Sequence, residues 1–545
     1  QPGEEFCSRL RKGGLFLMMF HSFDKIQQGV DFFRRQTGQI DFLLIFYSQK
    51  IIGTKLRRED GAEFFARYIT EEAAIVFLIS FRYNVTIYSK RKMCVRVCAM
   101  SGNIKNMTSG SPGKLILFFA LPLMAANIFQ QFYTTVDAMV VGQIVGVRAL
   151  AAVGAADWII WMVQGIVTGS AQGFSILVSQ NYGAGNGKRL KETVAASYTM
   201  MAVIAVAVLA VSQAGAYPLL RFLNTPADVM DMSVTYIRII FCGIPVIAAY
   251  NTFASILRAL GNGRSPLTAM IVAATINVGL DLLFVGGFRW GVAGAAGATV
   301  IAQGFSALYC FIVLRKIDIV KVSREDFRPE QAIFRQLAGL GAPLAFQNTI
   351  ISVGGMVVQY VVNGYGFLFV AGFTAANKLY GVLELAAISY GYAITTYVGQ
   401  NLGAGNIARI KSGVKSGGIM AVFTALAVGA VMVAGGRKIL SLFVSGSPEE
   451  TAQVLDIAYH YLFLMAVFLV VLYMLYVFRS AIQGLGNTVV PMASGIVEFF
   501  MRVGAALLLP LFIGQNGIFY AEISAWTGAA VLLAASYFWL IRKYS

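Results

Sequence analysis

The residues of this chain most able to do chemistry are ionisable side chains set inside long apolar stretches. Six acids stand in such stretches, Asp137, Asp157, Asp281, Glu384, Glu498 and Glu522, with two bases, Lys378 and Arg502. Charges in hydrocarbon are costly, so each is a functional candidate by default. Asp137 has no basic residue within one helical turn, while Asn277 and Asp281 are four apart and share a helix face. Asp137, Asp281 and the Asn277 amide are therefore expected to form one polar cluster. Its oxygens can take up a proton or ligate sodium, a hard cation that favours oxygen donors; a structural polar knot between helices is the alternative. Glu498 and Arg502, also four apart, form a candidate polar pair on one helix. Lys378 and Glu384, six apart, are not paired by spacing. Pro122 removes a backbone N–H from its helix, which permits either a hinge or tolerated curvature.

Other chemistries lack their residues. There is no H-E-x-x-H, G-x-S-x-G or G-x-x-x-x-G-K-[ST] pattern, so neither zinc or serine hydrolysis nor ATP use is signalled, and no enzyme activity or cofactor is expected. His21 and His460 are the only histidines, which leaves no His-rich metal site. Cys242 and Cys310 lie in apolar segments and read as small packed hydrophobes, and the C-x3-C of Cys94 and Cys98 lacks a second ligand pair. The net charge of +17 could suggest nucleic acid. In the main body, however, the bases sit in short clusters between apolar runs, the pattern of a membrane topology signal.

The elements that must position the acids are membrane helices. Hydrophobic residues make up 57% and charged residues 13%, against about one-quarter charged in a soluble domain, and mean hydropathy is +0.69. Twelve apolar stretches long enough to cross a bilayer are expected at 115–140, 149–178, 191–214, 233–258, 265–287, 291–314, 332–362, 369–397, 410–434, 453–480, 488–512 and 517–541. Helices are the choice because backbone groups in lipid must be satisfied within the segment, and runs such as Met201–Val211 do not alternate as a barrel strand would. Lys and Arg favour the loops after even-numbered spans, fourteen against five. This count includes Arg258, Arg409 and Arg479, and it places those loops and both ends of the core in the cytoplasm.

The chain also repeats itself. Ser179-Gln180-Asn181-Tyr182-Gly183-Ala184-Gly185-Asn186 returns as Gly399-Gln400-Asn401-Leu402-Gly403-Ala404-Gly405-Asn406, an offset of about 220 residues. Leu257–Asn262 with Pro266 matches Ile482–Asn487 with Pro491 at about 225, and Leu121-Pro122 with Asn127 matches Ala342-Pro343 with Asn348 at about 221. Six spans per half is an even number, so the halves are parallel repeats related by an axis along the membrane normal, with a substrate route between them. The expected organisation is an all-α polytopic membrane protein: an N-lobe at 107–314 with helices 1–6, a cytoplasmic linker at 315–331 and a C-lobe at 332–545 with helices 7–12. Residues 1–106 carry a soluble-like charge density and no secretory pattern. They are read as an N-terminal extension, with the natural start expected at Met100 or Met107.

Several motifs resemble the multidrug and toxic compound extrusion (MATE) family, in its prokaryotic DinF-like branch. They are Met107–Pro112, Phe119-Ala120-Leu121-Pro122, Phe129–Tyr133, Val136-Asp137, Val141-Gly142, Ala149–Gly154, both Gln-Asn-x-Gly-Ala copies, and Gly291–Ala296 followed by Ala298-Thr299. The likeness covers 107–545 and none of 1–99. It implies two six-helix lobes that export amphiphilic or cationic small molecules in exchange for H+ or Na+ by alternating access. The family pattern puts the ion site, for H+ or Na+, at Asp137, Asn277, Asp281 and Thr299, with Gln130 and Tyr133 in the same pocket, and associates bending at Pro122 with protonation there. The NorM-like branch places further acids in the C-lobe; Glu384 and Glu498 are available but do not match its pattern. The expected setting is the inner membrane, as a monomer among lipids and with no nucleic-acid partner. A flippase for a lipid-linked oligosaccharide or cell-wall precursor shares the twelve-helix plan and is the alternative, although it calls for a more basic cavity.

Overall fold

The computed structural model describes residues 104–223, 225–441 and 448–544. The expected extension 1–106 falls outside these, apart from its last three residues. Twelve long helices follow one another: α1 Pro112–Val140, α2 Val147–Gly183, α3 Gly187–Phe222, α4 in two pieces (Ala227–Cys242 and Ile244–Ala259), α5 Arg264–Asp281, α6 Gly291–Arg315, α7 Gln331–Asn363, α8 Phe367–Gly403, α9 Ile407–Leu440, α10 Pro448–Gly484, α11 Val489–Leu508 and α12 Tyr520–Lys543. No strand occurs among the described residues. Among the described residues, nine helical segments are long and apolar enough to cross a membrane, α11 to α12 running as one of them, and the two pieces of α4 together make a tenth. The helices form two six-helix lobes, a membrane fold of twelve helices.

Two spans differ from the simple rods expected from hydropathy. The fourth bends by 47° at Gly243, where Val300 of α6 occupies the space a side chain would need. The eleventh ends at Leu508, because Pro510 cannot continue the backbone ladder. A short helix Pro510–Ile513 and a tight turn Gly514–Phe519 follow, so α12 starts at Tyr520 rather than 517.

The repeat is visible in the backbone. Left-handed glycines recur in pairs at Gly146 and Gly366, Gly185 and Gly405, and Gly261 and Gly486, each where one helix stops and the chain turns into the next. Asn262 Oδ1 accepts from the Ser265 N–H at 3.0 Å, and its counterpart Asn487 Oδ1 accepts from the Val490 N–H at 3.1 Å, capping α5 and α11 alike.

The same landmarks join the lobes. Asn127 of α1 donates to Ser389 Oγ of α8 at 3.1 Å, and its counterpart Asn348 of α7 donates to the Gly165 carbonyl of α2 at 3.1 Å. At the end of the bundle carrying the even-numbered loops, α2 and α8 come into backbone contact. A Cβ on Gly183 would strike the Gln400 carbonyl, and one on Gly403 would strike the Gln180 carbonyl. Gln180 Nε2 donates to the Gly484 carbonyl at 3.1 Å, and Gln400 Nε2 to the Ala259 carbonyl at 2.8 Å. Each Gln thus reaches the end of a helix in the other lobe. Met107, fully buried, closes this seam: its N–H donates to Gln400 Oε1 at 2.8 Å, and its carbonyl accepts from Asn401 and Arg409.

Candidate ion and substrate site

Three N-lobe helices each contribute two polar residues four positions apart, and therefore on one face: Tyr133 and Asp137 on α1, Asn277 and Asp281 on α5, Thr299 and Gln303 on α6. α5 packs against both α1 and α6, so the three faces meet. Asn277 Nδ2 donates to Thr299 Oγ1 at 3.4 Å, and Gln303 Nε2 donates to the Tyr133 hydroxyl at 3.2 Å. Thr299 also lies beside Asp137, Gln130 lies near the Tyr133 hydroxyl, and the two aspartates are within electrostatic range of each other. The structure thus brings together Gln130, Tyr133, Asp137, Asn277, Asp281 and Thr299. Asn277 and Asp281 are fully buried, and Asp137 is 7% exposed.

The chemistry of this cluster lies in its imbalance. Asp137 Oδ1, both Asp281 carboxylate oxygens, Asn277 Oδ1 and Gln303 Oε1 are buried and accept no hydrogen bond. Buried polar atoms nearly always find a partner, and an unpaired buried carboxylate is far more costly than a neutral group. Five oxygen acceptors, three of them from the two carboxylates, with no Lys or Arg among them, are a donor set suited to a proton or to an alkali cation.

Gln303 was not anticipated from sequence, although its spacing of four from Thr299 carried the signal. Nor were two π-helical turns, Val141–Val145 directly after α1 and Leu282–Gly287 directly after α5. Asp281 is the last residue of its helix before such a turn, and Asp137 lies one turn before the other. π-Turns recur at functional sites, and here both acid-bearing helices loosen beside their carboxylates. Buried Tyr236 of α4 borders the cluster, and Asp157 of α2 lies within electrostatic range of both Asp137 and Lys378 of α8. Pro122 sits in α1 without interrupting it, some four turns before Asp137.

The C-lobe acids are arranged differently. Glu498 and Arg502, read as a local pair, each bond to a neighbouring helix. Glu498 Oε1 accepts from Arg479 of α10, and Arg502 donates to Glu522 Oε2 of α12 at 2.7 Å and to the Ile351 carbonyl at 3.3 Å. Arg479, counted from sequence among the loop charges, is instead buried within α10 at 7% exposure. Its loop reading failed because hydropathy alone cannot reveal a partner on another helix. Glu384 of α8 accepts from the Tyr476 hydroxyl at 2.6 Å.

The MatE family model matches residues 122–283 and again 343–508, once in each lobe. The chain belongs to the MatE family. Its members are transporters, not enzymes. One relative is the "Probable multidrug resistance protein YpnP" of Bacillus subtilis, 28% identical over 416 residues that cover 76% of this chain and 92% of that protein. Another is an "FAD transporter" of Shewanella oneidensis, 24% identical over 310 residues, covering 56% of this chain and 68% of that protein. Among solved structures, a MOP-superfamily transporter from Pyrococcus furiosus superposes with a TM-score of 0.76 at 21% identity, over 81% of this chain and 98% of that one. The MATE-like twelve-helix fold expected from sequence is thus the fold of the chain.

Proposed function

We propose that this MatE-family membrane protein is a secondary active antiporter that exports amphiphilic or cationic small molecules in exchange for H+ or Na+. The observation that carries the reading is the set of unpartnered acceptor oxygens on Asp137, Asn277, Asp281 and Gln303. Two buried carboxylates left ionised and unpaired are strongly unfavourable, so the packing around them is stable only with a cation or proton bound. Thr299 orients Asp137 and Asn277, while Tyr133 and Gln130 form the side of the cluster nearest substrate. Binding and release of the ion then bias two packings of the lobes, since a ligand shifts such an equilibrium only through its differential affinity for the two states. The π-turns beside both acids and the proline at Pro122 are the places where α1 and α5 give way.

The relatives' names support efflux of drug-like compounds, and the FAD transporter supports a wide range of substrates within the fold. The lobe boundaries of 107–314 and 332–545, the inner membrane as setting, and cytoplasmic ends for the core belong to the same proposal, as does action as a monomer. The flippase alternative is disfavoured by Arg502, whose guanidinium is committed to Glu522 rather than offered to a pyrophosphate. The test is ethidium efflux from proteoliposomes, driven in turn by a pH gradient and by a sodium gradient. One gradient drives efflux in the wild-type protein and neither does so with Asp137→Asn. Equal efflux with and without any gradient would overturn ion coupling.

A further inference from the structure

Two charges set inside helices belong neither to the N-lobe ion cluster nor to the C-lobe ion pairs. Asp157 stands on α2 and Lys378 on α8, helices that are copies in the repeat and pack against each other. Both side chains are exposed, and among the described residues neither has an ion pair. A charge inside a span faces protein or a water-filled cavity rather than lipid, so exposure here marks an aqueous space. Lys378 matches Trp158 by the 220-residue offset, one position from Asp157. The two charges therefore lie at one depth, about 15 Å inside their helices. They are within electrostatic range of each other without pairing, and so face one gap between the lobes. At the other end of the same two helices that gap is shut by the contacts of Gly183 with Gln400 and of Gly403 with Gln180. Trp161, one turn from Asp157 on the same face, is 70% exposed. The repeat does not demand this arrangement. The position matching Asp157 is Asn377, which accepts from the Tyr461 hydroxyl at 3.3 Å, and the Trp158 ring packs on Gly355 of α7. Each position is engaged in packing in one copy and presented to the gap in the other.

We infer that Asp157 and Lys378 select the substrate by its charges: the molecule carried is an aromatic amphiphile with a cationic group, held by Asp157 beside Trp161, and an acidic group, held by Lys378. The inference rests on the export function proposed above and narrows its substrate class. A carboxylate and an indole one turn apart are two surfaces that attract an organic cation, the first by its charge and the second through the face of its ring. The ammonium across the gap repels a second cation and attracts a carboxylate, sulfonate or phosphate on the same molecule. A pair that served only to tie the lobes together would be in contact, as Arg479 is with Glu498 and Arg502 with Glu522. Asp157 and Lys378 are instead held apart, which leaves room for a molecule between them. The long Lys stem lets the ammonium follow acids placed at different distances from the cation.

The test is equilibrium binding of two dyes to the purified full chain, read by fluorescence anisotropy. Rhodamine 110 carries a free carboxylate beside its cationic ring system, and rhodamine 123, its methyl ester, is a cation alone. The wild-type protein is expected to bind rhodamine 110 about fivefold more tightly, as one partly exposed charge contact allows. Lys378→Gln is expected to erase that preference by weakening rhodamine 110 alone, and Asp157→Asn to weaken both dyes by about fivefold. Equal affinity of the wild-type protein for the two dyes overturns the inference. So does an equal loss for both dyes in both variants, the result of a charge pair that only holds the lobes. Should Asp157→Asn fail to fold, the dye preference of Lys378→Gln decides by itself. The two readings fail separately in proteoliposomes. Gradient-driven efflux of rhodamine 123 by a protein without dye preference sinks the charge selection alone, and an intact preference with no gradient-driven efflux sinks the antiport alone.

Discussion

Asn277 in the N-lobe and Arg502 in the C-lobe occupy equivalent places in the repeat, 225 residues apart. Around Asn277 stand two carboxylates with buried oxygens that accept no hydrogen bond. Around Arg502, the position matching Tyr133 is Gly354 and the position matching Asp281 is Ala506. The guanidinium packs over the absent side chain of Gly354, and the acids Glu498 and Glu522 each hold a fixed arginine partner. Glu498 and Glu522 are thus met by cations the C-lobe carries covalently, whereas under the function proposed above the N-lobe acids take theirs from solution. A fixed ion pair holds a lobe in one packing. Under the same proposal, a site that fills and empties lets the N-lobe alternate.

The comparison can be broken most severely at the N-lobe acids. Asp137→Asn and Asp281→Asn are expected to reduce dye efflux to that of protein-free liposomes, while membrane insertion and size-exclusion behaviour stay normal. Near-normal drug resistance in cells expressing either variant would contradict the unequal lobes. In the C-lobe the expected damage is to stability rather than to coupling. Arg502→Gln leaves the part-buried Glu522 without its partner, at a cost of up to about 3–5 kcal/mol. Thermal melting in detergent should show this loss, and Arg502→Gln with Glu522→Gln should recover much of it.

A third perturbation acts where the lobes meet. Gly183→Val sets a side chain against the Gln400 carbonyl. The overpacking is worth about 1–3 kcal/mol and should bias the protein away from the packing in which that seam is closed. Cysteine accessibility of Ser179 variants would report the shift, and unchanged accessibility would remove the seam from the account. The smallest effect is expected at Gln303, whose loss to Leu removes one neutral acceptor oxygen from the cluster together with the hydrogen bond to Tyr133. At about 1 kcal/mol, this corresponds to about a fivefold rise in the cation concentration needed for half-maximal efflux.

Much of this was legible in the chain. Span number, the parallel repeat and the meeting of Asp137, Asn277 and Asp281 follow from hydropathy, self-comparison and helical spacing, because each is set by local sequence. Asn127 and Asn348 were visible as a matched pair, but their part in joining α1 to α8 and α7 to α2 was not. Partners across helices resist sequence reading in general. Glu498 reads as bonded to Arg502 when only its own helix is considered, yet Arg479, nineteen residues away on α10, lies closer in space. The π-turns after Asp137 and Asp281 also left no signature, since they are choices of hydrogen-bond register rather than of residue type.

The central claim is that the exchangeable charge resides in the N-lobe alone, and counting bound cations tests it most directly. Equilibrium titration of the purified protein with Na+, alongside proton release on adding substrate, should give one exchangeable cation per wild-type chain. The count should be none for the Asp137→Asn, Asp281→Asn double variant, and still one when Arg479 and Glu498 are both changed to Gln. Retention of the exchangeable cation by the N-lobe double variant, with its loss in the C-lobe variant, would contradict the account.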